Sequence, residues 1–234
     1  MCNMSPVSPV SPALPALSAS PVRCHQIHHY PALLIQTRTQ ETTGPLTLRP
    51  ILPQDEELLG ELLNGLSPAA RRNRFHGAMK VSPTQLRQMS CVDFRRQLAL
   101  VITAHIDGAE RLIADARYSV LDDGLSAEFA LVVCERWQRL GLGAWAMQSL
   151  QHAATGAGLE WLNGDVLQAN TPMLRLMEHC GFALCPEFED GPVVKAQRRL
   201  SRQARPLPPL PRARHGFRSW LQQAWLGRAM AAVG

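Results

Sequence analysis

Proline limits where this chain can build helices and sheets more sharply than any other residue, because it fixes φ and lacks the N–H that both ladders need. The 18 prolines crowd into residues 6–53 and 206–211, whereas Gln54 to Ala183 holds only Pro68, Pro83 and Pro172. The fold therefore belongs to the middle of the chain. A sequence of 234 residues, 46% of them hydrophobic, can bury one substantial core there with tails at both ends.

The ends have compositions of their own. Residues 1–44 repeat Ser-Pro-Val and offer few apolar clusters, so they read as a disordered leader. The leader lacks the basic start and unbroken apolar run of a signal peptide or membrane span. Six cysteines without a Cys-x-x-Cys pair or a Cys/His cluster point to a reduced, cytoplasmic protein that holds no metal. His25, His28 and His29 beside Cys24 have no second ligand group to complete a site. From residue 195 onward there are nine basic residues and no acid, so the tail carries +9 of a net +5 and residues 1–194 carry 5 − 9 = −4. Within residues 201–234, RPLPPLP reads as a stiff linker before a basic amphipathic helix whose Phe217, Trp220, Leu221, Ala224 and Trp225 share a face.

Between the tails, residues 45–200 read as one α+β domain, a mixed, mostly antiparallel sheet flanked by helices. LTLRPI is a short strand, and Leu58, Leu59, Leu62, Leu63 and Leu66 mark a helix from about Gln54 to Leu66. Ser67-Pro68 opens a second helix, and a third lies near Ser82 to Met89. QLALVITAHI, RLIADARYSV and SAEFALVVC form an antiparallel meander across the turns Asp107-Gly108 and Asp122-Asp123-Gly124. A helix from Gly141 to about Thr155, a strand Trp161 to Leu167, a helix Thr171 to Cys180 and two closing strands complete the domain.

The third meander strand runs through Gln138-Arg139-Leu140-Gly141-Leu142-Gly143-Ala144 into a helix. Two glycines let the backbone bend tightly, and the helix start adds free N–H groups and a positive dipole end, which together suit a pyrophosphate. Gly-Lys-Ser/Thr is missing, which excludes a Walker loop, and the third glycine of a dinucleotide fingerprint is missing as well. On its own the loop is equally well a helix entered through a glycine turn.

Its company says more. AEFALVVCERWQRLGLGAWAMQSL resembles the central motif of the GNAT acetyltransferase superfamily, and the run Asn170 to Phe182 looks like that family's second motif, an Asn before a helix that closes on Gly-Phe. Arg49-Pro50-Ile51, Asp55, Leu66-Ser67-Pro68, Arg71, Arg74-Phe75 and Asp93-Phe94 are similar to the acetyltransferase domain of bacterial Pat-type protein lysine acetyltransferases. The resemblance implies an acetyl-CoA-dependent N-acetyltransferase in which an amine attacks the thioester directly. It implies that Gln138, Arg139, Leu140, Gly141, Leu142, Gly143 and Ala144 hold the pyrophosphate. Leu131, Val132 and Val133 would pair with the pantetheine arm and Asn170 would reach the cofactor, unless it serves only as a helix cap.

An ammonium of pKa about 10.4 must lose a proton before it attacks. Glu128, in the family's acidic position, is the expected base; a surface charge or a salt bridge to an arginine is the alternative. Many relatives place a Tyr in the second-motif helix to protonate the thiolate, and here that position is Met177. Water, or the neighbourhood of His179 and Cys180, would have to replace it, although a thiol of pKa about 8.5 leaves tolerably unaided. Packing for Cys180 and an exposed helix-end cation for His179 are the structural readings of those two. The expected acceptor is a protein lysine, with a small-molecule amine as the other enzymatic reading. A degenerate acetyl-CoA sensor with a basic docking tail is the reading of another class. No specific nucleic acid partner is indicated, and only weak contact of the tail with anionic surfaces. Arg71, Arg72 and Arg74 either steer an acidic partner or CoA phosphates, or form a solvated helix face.

Overall fold

The computed structural model describes residues 30–40, 43–77, 80–186 and 191–200. Eight strands form one sheet: β1 (Gln36–Gln40), β2 (Gly44–Pro50), β3 (Gln97–Ile106), β4 (Ala109–Val120), β5 (Ser126–Val133), β6 (Trp161–Leu167), β7 (Ala183–Pro186) and β8 (Val193–Arg199). Their order is β1-β2-β3-β4-β5-β6-β8-β7. Every neighbouring pair is antiparallel except β5 and β6. The α+β class read from the sequence is the one observed.

Among the described residues, five helices cover the two faces: α1 (Glu56–Asn64), α2 (Pro68–Phe75), α3 (Pro83–Ser90), α4 (Leu142–Gly156) and α5 (Thr171–His179). Local chemistry sets their starts. Ser67 Oγ accepts from Ala70 N at 3.1 Å before Pro68, and Ser82 and Gln85 cap one another reciprocally at the head of α3. The meander hairpin β3–β4 turns on Asp107 and Gly108, both with positive φ, as a two-residue hairpin of the primed type requires.

Alternation divides the core. Leu48, Leu100, Ile102, Phe129 and Leu131 face α4, where Trp145, Met147 and Leu150 are almost fully buried; Met177 and Phe182 close that layer. Ala99, Val101 and Val132 face the other way, against Leu59, Leu63, Leu86 and Met89 of α1 and α3.

β1 lies upstream of the boundary expected at residue 45, inside the stretch read as a disordered leader. Its sequence QTRTQ has no apolar alternation, so nothing local marks it as a strand. Long-range contacts hold it instead. Gln36 Oε1 accepts from Trp145 Nε1 at 2.8 Å, the Arg38 guanidinium stacks 4.5 Å above the Trp145 ring, and Tyr30 donates to the Pro50 carbonyl at 3.0 Å. Residues 1–29 and the linker and amphipathic helix expected over 201–234 lie outside the described residues. No described helix is long and apolar enough to cross a membrane.

Candidate active site

β5 and β6 pair over only three residues, Ser126 with Trp161, Ala127 with Leu162 and Glu128 with Asn163, and then diverge. Beyond the last rung, the ring of Phe129 lies 2.5 Å from where a Cβ on Gly164 would stand, so the ring needs that glycine beside it. A fork opens there, and a cleft of about 790 Å³ occupies it. Glu128 stands at the vertex.

The unpaired edge of β5 can be read from its other edge. Cys134 N donates to the Ile113 carbonyl and Leu121 N to the Ser126 carbonyl, so the backbone groups of Glu128, Ala130 and Val132 turn toward β4. Those of Phe129, Leu131 and Val133 turn into the fork. Of the three residues expected to offer backbone to an extended ligand, Leu131 and Val133 turn their backbone groups into the fork, while those of Val132 turn toward β4.

At the wide end of the fork the chain bends through Gln138 to Ala144. Gln138 Nε2 donates to the Val133 carbonyl at 3.1 Å and ties the loop to the strand that precedes it. Arg139 and Gly141 take positive φ, +62° and +76°. Gly141 is the N-cap of α4 and its carbonyl accepts from Trp145 N, so the N–H groups of residues 141–144 form the helix's open first turn. Gly143 answers a different need, since a Cβ there would sit 2.9 Å from the Leu176 side chain of α5. Gln138, Arg139, Gly141, Gly143 and Ala144 line the cleft. Leu142 is buried in the core and the half-buried Leu140 packs against it, and neither lines the cleft.

The face of the sheet that carries Glu128 also carries buried charge. Asp115 and Arg117 of β4 lie opposite Val132 and Ala130. Arg117 holds Asp115 through Nε at 2.9 Å and Nη2 at 2.6 Å and donates Nη1 to the Met89 carbonyl at 3.1 Å. Arg74, from α2, reaches the same carboxylate at 3.5 Å with a side chain that is 1% exposed. Burial draws the Arg74 guanidinium down from 12.5 to about 10, against the pull of Asp115 and, more weakly, of Glu128. Nothing in the sequence reading anticipated Asp115 and Arg117. The available signal was two opposite charges two residues apart in ADARYSV, on one face of a strand that is otherwise apolar.

A model of the acetyltransferase (GNAT) family matches residues 68–182. Acetyltransferase PA5475 of Pseudomonas aeruginosa is 32% identical over 136 residues, which cover 58% of this chain and 73% of that protein. The chain belongs to the GNAT acetyltransferase family. Acetyltransferase Pat of Mycolicibacterium smegmatis is 31% identical over 151 residues, 63% of this chain but only 43% of Pat. Among solved structures, the GNAT domain of S. lividans PAT has the same fold, with a TM-score of 0.65, 24% identity, and coverage of 73% of this chain and 99% of that one. The fold of yncA of Salmonella typhimurium, solved with its cofactor acetyl-CoA, is also similar: TM-score 0.56, 18% identity, covering 69% of this chain and 97% of that one. Acetyl-CoA is the acyl donor of GNAT enzymes.

As a GNAT acetyltransferase the chain departs from the common pattern at α5. Met177 is fully buried in the core rather than at the cleft, and Cys180 is 4% exposed, its thiol pushed up by burial. Cys180 does not line the cleft, and neither does the exposed His179 at the far end of the helix. Asn170 does line it, and at the same time its Oδ1 accepts from Met173 N at 3.3 Å, so it caps α5 from the cleft wall. The arginine group of α2 divides. Arg71 donates to the carbonyls of Asn64 and Leu66 at 3.0 and 2.9 Å, Arg72 is exposed, and only Arg74 turns inward to the cleft.

Proposed function

We propose that this acetyltransferase acetylates the side-chain amines of protein lysines, with Glu128 as the base. The observation that carries the reading is the position of Glu128 on the last rung of the β5–β6 fork, in the same cleft as the glycine loop and the open first turn of α4. The 31% identity to Pat supports a lysine acceptor.

In this reading the backbone N–H groups of residues 141–144 take the pyrophosphate of acetyl-CoA, helped by the α4 dipole. Leu131 and Val133 pair with the pantetheine arm as an added strand would, and Asn170 closes the opposite wall. The acyl end then lies toward the vertex. Glu128 removes one proton from the lysine ammonium, the neutral nitrogen attacks the thioester carbonyl carbon, and the C–S bond breaks as the amide forms. The thiolate departs to solvent and takes a proton there, because α5 offers it no acid at Met177. Relative to the ammonium and thioester, the products are the amide, CoA thiol and one released proton.

A small polyamine is the second reading, and the observation in its favour is a second carboxylate in the cleft, Asp165 of β6. One experiment separates the two. Purified protein is supplied with labelled acetyl-CoA and an equimolar mixture of a lysine-rich protein and spermidine, and the products are resolved by mass spectrometry. The lysine reading expects the label on protein ε-amines; label on spermidine alone would replace it with the second.

A further inference from the structure

The cleft's charged groups do more than line it. Two guanidiniums, Arg74 and Arg117, and one carboxylate, Asp115, are buried on the face of the sheet that carries Glu128; the side chains of Arg74 and Asp115 are 1% and 0% exposed. Arg117 takes both oxygens of Asp115 at 2.6–3.2 Å, while Arg74 stands back at 3.5 Å. That patch has two positive charges against one negative, a costly arrangement away from water unless another anion shares it. α2 lies against β5, and Arg74 and Glu128 line the same cleft.

We propose that Arg74 is a positioning residue for the acyl transfer: its buried guanidinium makes Glu128 the second anion of the patch and keeps that carboxylate ionised and ready to accept a proton. The inference rests on Glu128 being the base. Other charged groups face the same cleft. His76 follows Arg74 on the α2 side, Asp165 lies on β6, Arg175 on α5 and Arg139 in the glycine loop. Among these cleft-lining groups only Arg74 combines full burial with a contact to Asp115, so its charge is fixed where solvent cannot replace it. The arrangement is also tolerant of losing Arg74, because Asp115 and Arg117 remain a bidentate pair without it.

The test compares the wild type, R74M and R74K over pH, following kcat/KM with acetyl-CoA and a lysine-bearing protein. A neighbouring cation lowers a carboxyl, so the acid-side midpoint should rise in R74M and return toward the wild-type value in R74K. Damage to the fold would lower the rate at every pH without moving the midpoint, and an unmoved midpoint in active R74M overturns the proposal. Should R74M not fold, carboxyl-carbon NMR of the wild type decides. The Glu128 signal, identified by its loss in E128Q, should titrate below the ordinary glutamate value of about 4.3, and titration above it overturns the proposal. The rate of E128Q keeps the two readings apart. Full activity in E128Q removes the base itself, whereas an inactive E128Q with an unmoved R74M midpoint removes only the role of Arg74.

Discussion

The two faces of the central sheet are built by opposite rules. Toward α4 and α5 the sheet presents Leu48, Leu100, Ile102, Phe129 and Leu131, and the helices answer with Trp145, Met147, Leu150 and Met177. Toward α1–α3, β4 and β5 present Asp115, Arg117, Ser119 and Glu128 among apolar neighbours. One face can be optimised for packing alone. The other carries Glu128 beside a cleft, and it holds buried charges that a core built for stability would omit. Stability and chemistry have thus been assigned to opposite sides of β5, residue by alternate residue.

That division can be broken by experiment. The largest effect belongs to the apolar face. Trp145→Ala removes a ring that is 1% exposed, together with its bond to Gln36 and its stacking with Arg38. It should cost about 3–5 kcal/mol in denaturant unfolding; a loss under 1 kcal/mol would mean that β1 and α4 are not locked together. On the charged face, Glu128→Gln should cut kcat by ~10²-fold or more while acetyl-CoA still binds, and an unchanged kcat would move the base elsewhere. Smaller still is Gly141→Ala, which places a Cβ at φ +76° and so costs roughly 1–2 kcal/mol of backbone strain. The loss should appear as weaker acetyl-CoA binding by calorimetry. Gly143→Ala should be the mildest, because the one close approach of its Cβ is to the movable end of Leu176 at 2.9 Å, while Val133 and Leu131 lie at ordinary contact distances of 3.8 and 3.9 Å. A Gly143 effect larger than that of Gly141 would show that tight α4–α5 packing, rather than loop conformation, governs the donor site.

Much of the fold was legible because its signals are local. The strands QLALVITAHI and Trp161 to Leu167 are bounded by turn residues and carry enough apolar residues to declare themselves, and Ser67-Pro68 and Ser82-Pro83 mark helix starts by their own side chains. β1 was illegible, since its structure depends on a Trp 109 residues later in the chain. The site was legible in the same uneven way. Glu128 and the glycine loop are read from one continuous stretch, but the register that sets Glu128 beside Asn163 at a fork is a property of the sheet. So is the meeting of Arg74 with Asp115 and Arg117, which joins α2 to β4 across 41 residues. Alternation could suggest that two charges in β4 share a face. It could not say what would sit on them.

The three rungs between β5 and β6 have a consequence for the lifetime of the protein. Five antiparallel strands lie on one side of that seam and three on the other, and little backbone pairing joins the halves. A donor molecule laid along Leu131 and Val133 would be a removable clasp across the seam. At 100 times its dissociation constant it would add about 2.7 kcal/mol to the folded state, so resistance to proteolysis should rise and fall with the acetyl-CoA supply.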